Sequence, residues 1–162
     1  MKVIGVDPGT MVTGYGVVSE LKGVKKCHAW GVIRPMPKAP MPKRLRQIAE
    51  GLREVIRSHQ PDELALEETF VAKDPRGALK LGQARGVIML VAEESGLPVS
   101  EYSPLKVKQT LTGYGQAEKE QVRVMVRHAL ALKENPEPLD ASDALAIAIT
   151  HINHTGPLGQ AK

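Results

Sequence analysis

Apolar and polar positions along the chain follow two rhythms. Val3 to Asp7 is a near-continuous apolar run, closed by an acid and followed by Pro8-Gly9, which predicts a short buried strand. Gly14 to Ser19 predicts a second strand and Val24 to Ile33 a third. The short glycine-bearing links between them favour an antiparallel meander. Pro35, Pro37, Pro40 and Pro42 make 35–42 a stiff extended loop, excluded from helix. The period then lengthens. Leu45, Ile48, Ala49, Leu52, Val55 and Ile56 recur at helical spacing up to a boundary at Pro61, with Lys43, Arg44, Arg46, Arg53 and Arg57 on other faces. Leu64 to Glu68 reads as a strand, 76–94 as a helix stopped by Gly96 and Pro98, and Pro98 to Tyr102 as the last strand. Ser103-Pro104 resembles an N-cap ahead of a first-turn proline and opens a short helix to about Thr110. Helices follow over roughly 117–132 and 139–153.

In condensed form the order is β-β-β-α-β-α-β-α-α. A meander followed by βαβ units predicts an α/β fold: a mixed five-stranded sheet with helices on both faces. At 162 residues the chain suits one domain, read as 1–154 with a frayed tail over 155–162. No run of about 18 apolar residues predicts a membrane span. Asp7 comes too early for the apolar core of a secretion leader. Cys27 is the single cysteine, which excludes an intrachain disulfide and fits a reducing cytoplasm.

Candidate chemistry lies in the acids. Asp7 ends a strand ahead of a tight turn, where ligands bind in open α/β sheets. Glu67 and Glu68 end the fourth strand. Side chains alternate along a strand, so only one of the two shares a face with Asp7. Asp140 and Asp143 stand at i and i+3 at the start of an alanine-rich apolar helix, and so point the same way. Taken singly, Asp140 is an ordinary helix-start residue and Asp7 an ordinary turn cap. Taken together, they converge if that helix crosses the ends of the first and fourth strands. Clustered carboxylates stay ionised only beside a multivalent cation. Oxygen-only ligands suit Mg²⁺ or Mn²⁺ rather than Zn²⁺. Two such ions about 4 Å apart support phosphodiester cleavage. The formal charge is +4; setting four acids of the 18 aside for metals leaves 14 against 22 bases, which points to an anionic partner.

The residues now form a recognisable series. Ile4-Gly5-Val6-Asp7-Pro8-Gly9-Thr10 is followed by Thr13-Gly14-Tyr15-Gly16-Val17-Val18, Leu64 to Phe70, and Ala78 to Gly86. Val107 to Thr110, Ala117-Glu118-Lys119 and Asp140 to His151 complete it. The whole ordered series resembles RuvC-type Holliday junction resolvases, nearly end to end. The resemblance implies a ribonuclease H-like fold and a homodimeric, Mg²⁺-dependent endonuclease. It implies two metal ions per site, with Mn²⁺ able to substitute. Paired nicks in a four-way DNA junction would leave 5′-phosphate and 3′-hydroxyl ends, with a branch-migration motor complex as a further partner. By motif match the catalytic acids are Asp7, Glu67, Asp140 and Asp143, with Glu68 facing away. Lys119 matches a lysine beside the scissile phosphate, and Lys108 a second basic position that holds DNA backbone. Without the resemblance both lysines read as a solvated helix face.

Other residues round out the picture. Phe70, the only phenylalanine, follows the acidic strand end and is a candidate to stack on an unpaired base, a role the resemblance supports; packing into the core is the plainer reading. Lys73 and Arg76 are phosphate candidates, and Tyr114, between Gly113 and Gly115, is a weaker stacking candidate. Ala78, Gly82 and Gly86 recur every fourth residue and form a small-residue stripe for a dimer contact or internal packing. Cys27 and Trp30 read as packing residues, and His151 and His154 as surface residues near a helix end. The alternatives are a ribonuclease H acting on RNA–DNA hybrids, a non-catalytic junction-binding protein, and a sugar-kinase-type ATPase, for which the chain is short.

Overall fold

The computed structural model describes residues 1–68 and 74–156. Its elements are β1 (Lys2–Asp7), β2 (Thr13–Leu21), β3 (Val24–Ile33), α1 (Met41–His59), β4 (Glu63–Glu67), α2 (Pro75–Glu94), β5 (Val99–Tyr102), α3 (Pro104–Thr112), α4 (Lys119–Ala129) and α5 (Leu139–Thr155). Three helices follow β5, one more than the condensed order counts. Strands run β3-β2-β1-β4-β5 across one mixed sheet. β1 to β3 form the antiparallel meander, and β4 and β5 continue parallel to β1.

Each face of the sheet carries its own core. Ile4, Val6, Leu64 and Leu66 pack against α1 and α2. Val3, Val18 and Ala65 pack against α3, α4 and α5. β1 is buried on both faces, which is why its apolar residues run almost unbroken instead of alternating.

α5 lies against β1 and β2 at backbone distance. A Cβ on Gly5 would sit 2.7 Å from the amide nitrogen of Ala148, and one on Gly16 would sit 2.6 Å from Leu145 Cδ2. A Cβ on Gly14 would overlap the Asp140 carbonyl oxygen. Strand glycines thus meet the α5 backbone and, at Gly16, the Leu145 side chain, and their lack of a side chain allows an apolar helix to press directly onto the sheet.

Some expectations change. α1 begins at Met41, with Pro42 inside its first turn, so the proline loop ends earlier than 42. The first helical N–H groups have no intrahelical partner, so a missing donor costs nothing there. α4 starts at Lys119 rather than 117, where the Glu118 N–H donates to Gln121 Oε1 at 3.0 Å in a capping box, and it ends at Ala129. Trp30 is 41% exposed and overhangs a surface hollow beside Arg123 and Leu132, so it is not a core residue, while Cys27 is half-buried against the core. His151 is fully buried rather than on the surface, with Nε2 2.8 Å from Glu63 Oε2 and Nδ1 3.0 Å from the Tyr102 hydroxyl. His154 is half-buried, tilted against the Tyr102 ring. Among the described residues no helix is long and apolar enough to cross a membrane.

Candidate active site

Asp7 is the last residue of β1, and β4 runs beside it in parallel, with Val6 opposite Leu66. The carboxyl ends of two adjacent central strands therefore put Asp7 and Glu67 side by side. The turn after Asp7 is held firmly. Thr13 Oγ1 donates to the Gly9 carbonyl at 2.7 Å, and the Arg44 guanidinium reaches across from α1 to the Thr10 carbonyl, with Nε at 3.1 Å.

Asp140 and Asp143 arrive from α5. Asp7 pairs with Gly14 in the β1–β2 ladder, and Gly14 lies directly under the backbone of Asp140. The helix start is thereby set over the end of β1. α5 is capped by Pro138, so Asp140 stands inside the first turn rather than serving as the cap. Lys119, the first residue of α4, places Nζ 3.0 Å from Asp143 Oδ2. Glu67, Lys108, Lys119 and Asp143 share a cavity of about 270 Å³.

Asp7 and Glu67 feel the charges around them. Burial pushes the Asp7 carboxyl up to about 8, and the charges of Glu67, Asp143 and Asp140 add to the rise, while Lys119 opposes it. Glu67 is also raised, first by burial and then by Asp143; Lys119, a hydrogen bond with Asp7, and Arg85 pull it back. Lys119 is raised by its hydrogen bond to Asp143 and remains an ammonium. Glu68, by contrast, is exposed past the strand end and is not among the charges acting on Asp7.

Among the described residues no three His, Cys, Asp or Glu side chains close into a tight metal cage. The donor set nonetheless fits a hard divalent cation. It is all oxygen; burial, and after it the charges of Glu67, Asp143 and Asp140, raise the Asp7 carboxyl, and a divalent cation would offset that concentration of negative charge.

The remaining candidates separate. Arg76 is exposed in the first turn of α2, where its N–H caps onto Asp74. Tyr114 is 62% exposed and lines a different hollow with Val124 and Met125, outside the acidic cavity. Gly82 and Gly86 face open space on α2, flanked by the exposed Leu79 and Leu90, whereas Ala78 is half-buried at the margin of that face. Phe70 and Lys73 lie outside the described residues. Sequence reasoning missed Arg44 and Arg85. Both act on backbone carbonyls contributed by other elements, and no local pattern marks such contacts.

A family model for the crossover junction endodeoxyribonuclease RuvC matches residues 3–151. Over 158 residues the chain is 50% identical to the crossover junction endodeoxyribonuclease RuvC of Azorhizobium caulinodans, covering 97% of this chain and 92% of that one. The solved structure of Thermus thermophilus RuvC matches with a TM-score of 0.88 and 41% identity over 95% of both chains. The T. thermophilus RuvC in complex with a Holliday junction substrate also matches at 0.88, with 40% identity over 93% of this chain and 92% of that one. With its sheet order, its convergent acids and these relatives, the chain belongs to the RuvC family of crossover junction endodeoxyribonucleases.

Proposed function

We propose that this protein resolves four-way DNA junctions as a Mg²⁺-dependent homodimeric endonuclease. The observation that carries the reading is the convergence of Asp7, Glu67, Asp140 and Asp143 from three separate elements, with Lys119 against them. These carboxylates would hold two Mg²⁺ ions, or Mn²⁺ in their place. When bound, the metal supplies an activated water and charge stabilisation for the leaving oxygen.

The chain's own groups do the rest. Asp7, on the central strand and within reach of the charges of all three other acids, would be a principal holder of the cations. Lys119 keeps its proton and has 65% of its side chain exposed, so its ammonium can turn toward a phosphate entering the cavity. There it would offset charge developing in the transition state. Lys108 lines the same cavity and would hold the adjacent backbone. Arg76 and Tyr114 would contact DNA further out. In-line hydrolysis would leave 5′-phosphate and 3′-hydroxyl ends.

Two opposed strands must be cut together, which calls for two-fold symmetry. The outward face of α2 suits this requirement: Leu79 and Leu90 are 72% and 56% exposed, with open glycines between them. Apolar anchors around a flat centre favour close approach of a second helix.

A synthetic four-way junction, a linear duplex and an RNA–DNA hybrid, each incubated with wild type and Asp7→Asn in Mg²⁺, Mn²⁺ or chelator, test the reading. Paired symmetric nicks only in the junction, lost in Asp7→Asn and in chelator, are expected. Binding without cleavage under every metal would leave a junction-binding protein. Cleavage of the hybrid instead would keep the chemistry and replace the substrate.

A further inference from the structure

Arg85 sits on α2, on the opposite face of the sheet from α5, with only 13% of its side chain exposed. Its guanidinium makes two contacts. Nη1 donates to the backbone carbonyl of Glu67, and Nη2 to Oε2 of Glu101 on β5. Arginine's planar fork is suited to bridging two acceptors in fixed directions.

The first contact fills a gap in the sheet. The peptide linking Glu67 and Glu68 donates its N–H to the Tyr102 carbonyl at 2.8 Å, on the β5 side. A trans peptide points its carbonyl the opposite way, so the Glu67 oxygen is turned toward β1. In the parallel register Val6 opposite Leu66, the β1 donor due to meet that oxygen belongs to residue 8. Residue 8 is Pro8, which has no N–H. Arg85 supplies the hydrogen bond that the ladder cannot.

We propose that Arg85 is a positioning residue for the metal site. It pins the final peptide of β4, and with it the direction in which the Glu67 carboxylate leaves the strand. Glu101 holds the guanidinium in place. The guanidinium acts from behind the sheet and does not line the cavity that the substrate would occupy. This rests on the metal-dependent reading above. Groups that orient metal ligands typically matter by about 10–100-fold in metal affinity or activity when removed.

The test uses the full chain with Arg85→Met, Arg85→Lys and Glu101→Gln. Mn²⁺ affinity is measured by calorimetry without DNA. Single-turnover cleavage and metal-free binding of a synthetic junction are measured alongside. In Arg85→Met, Mn²⁺ affinity and cleavage rate should fall about 10–100-fold, with junction affinity within about twofold and a cooperative melt retained. Arg85→Lys can reach one acceptor but not both, and should recover part of the loss. Glu101→Gln should lie between wild type and Arg85→Met. Wild-type Mn²⁺ affinity in Arg85→Met would overturn the proposal. So would equal loss of metal and junction binding in Arg85→Met and Arg85→Lys, which would mark Arg85 as a general fold contact. Should Arg85→Met fail to fold, Glu101→Gln decides: unchanged Mn²⁺ affinity there also overturns it. A wild-type protein that binds Mn²⁺ but cuts no junction would refute the functional reading and leave the Arg85 measurement intact.

Discussion

Replacing Gly14 with alanine tests how the active site is assembled. The glycine pairs with Asp7 across the β1–β2 ladder and lies beneath the first turn of α5. An added Cβ would overlap the Asp140 carbonyl oxygen, lie 2.5 Å from its carbon, and come within 3.1 Å of the Ala141 nitrogen. Ordinary contact begins near 3.4 Å. The atoms in the way are all backbone, so no rotamer change relieves the overlap. The start of α5 must lift by about 1 Å, and overpacking of this kind costs about 1–3 kcal/mol. For a chain of this size that lowers Tm by about 2–12 °C. Activity should suffer more, because about 1 Å of misplacement at a catalytic group costs about 100-fold. Asp140 rides on the displaced turn, while Asp7 and Glu67 stay on strands the substitution does not push. The assay is single-turnover cleavage of a four-way junction in Mg²⁺, beside metal-free junction binding and a thermal melt. A folded Gly14→Ala protein with wild-type affinity and a cleavage rate down about 100-fold is expected. A rate within twofold of wild type would refute the argument that glycine packing sets the position of Asp140.

Three further outcomes follow from the same geometry. The folded Asp7 carboxyl titrates at about 8 against 3.8 in the unfolded chain, so its contribution to stability is complete below 3.8 and is lost as pH rises to about 8. In chelator, wild type should therefore lose about 1–4 kcal/mol relative to Asp7→Asn between pH 5 and pH 8.5; parallel curves by calorimetry would contradict this. Lys119→Met removes the ammonium that contacts Asp143 and should slow single-turnover cleavage about 100-fold or more, with junction affinity changed less than threefold; a loss confined to binding would reassign Lys119 to DNA backbone contact. Under the proposed pairing through α2, wild type should sediment as a dimer and Gly82→Leu as a monomer with an unchanged melting temperature, and a Gly82→Leu variant that stays dimeric would rule α2 out as the interface.

Much of this molecule is local, and what is local could be read from the sequence. The run Val3 to Val6 fits a strand covered on both faces, and its closing acid falls at the sheet's carboxyl edge. Asp140 and Asp143 share a helix face by spacing alone. Ser103-Pro104 caps α3 in the expected way, with the Ser103 hydroxyl accepting from the Lys106 N–H at 3.2 Å. Each of these depends on neighbours within a few residues. Other features were decided only when distant segments met. His151 looked like a helix-end surface residue, yet it is buried because Glu63 and Tyr102, 88 and 49 positions away, satisfy both ring nitrogens. Trp30 read as a packing residue, yet β3 is an edge strand and leaves it partly uncovered. The stripe of small residues on α2 extends to Ala78 in the sequence, but tertiary packing leaves Gly82 and Gly86 open and half-buries Ala78. Arg85 meets the Glu67 carbonyl where Pro8, just past the end of β1, has no N–H to offer. Residue chemistry and spacing specify which side chains could do metal-assisted chemistry and on which elements they ride. Which acids face one another, and what holds them there, depends on the folded chain, because hydrogen-bond satisfaction and backbone packing are settled between segments far apart in the sequence.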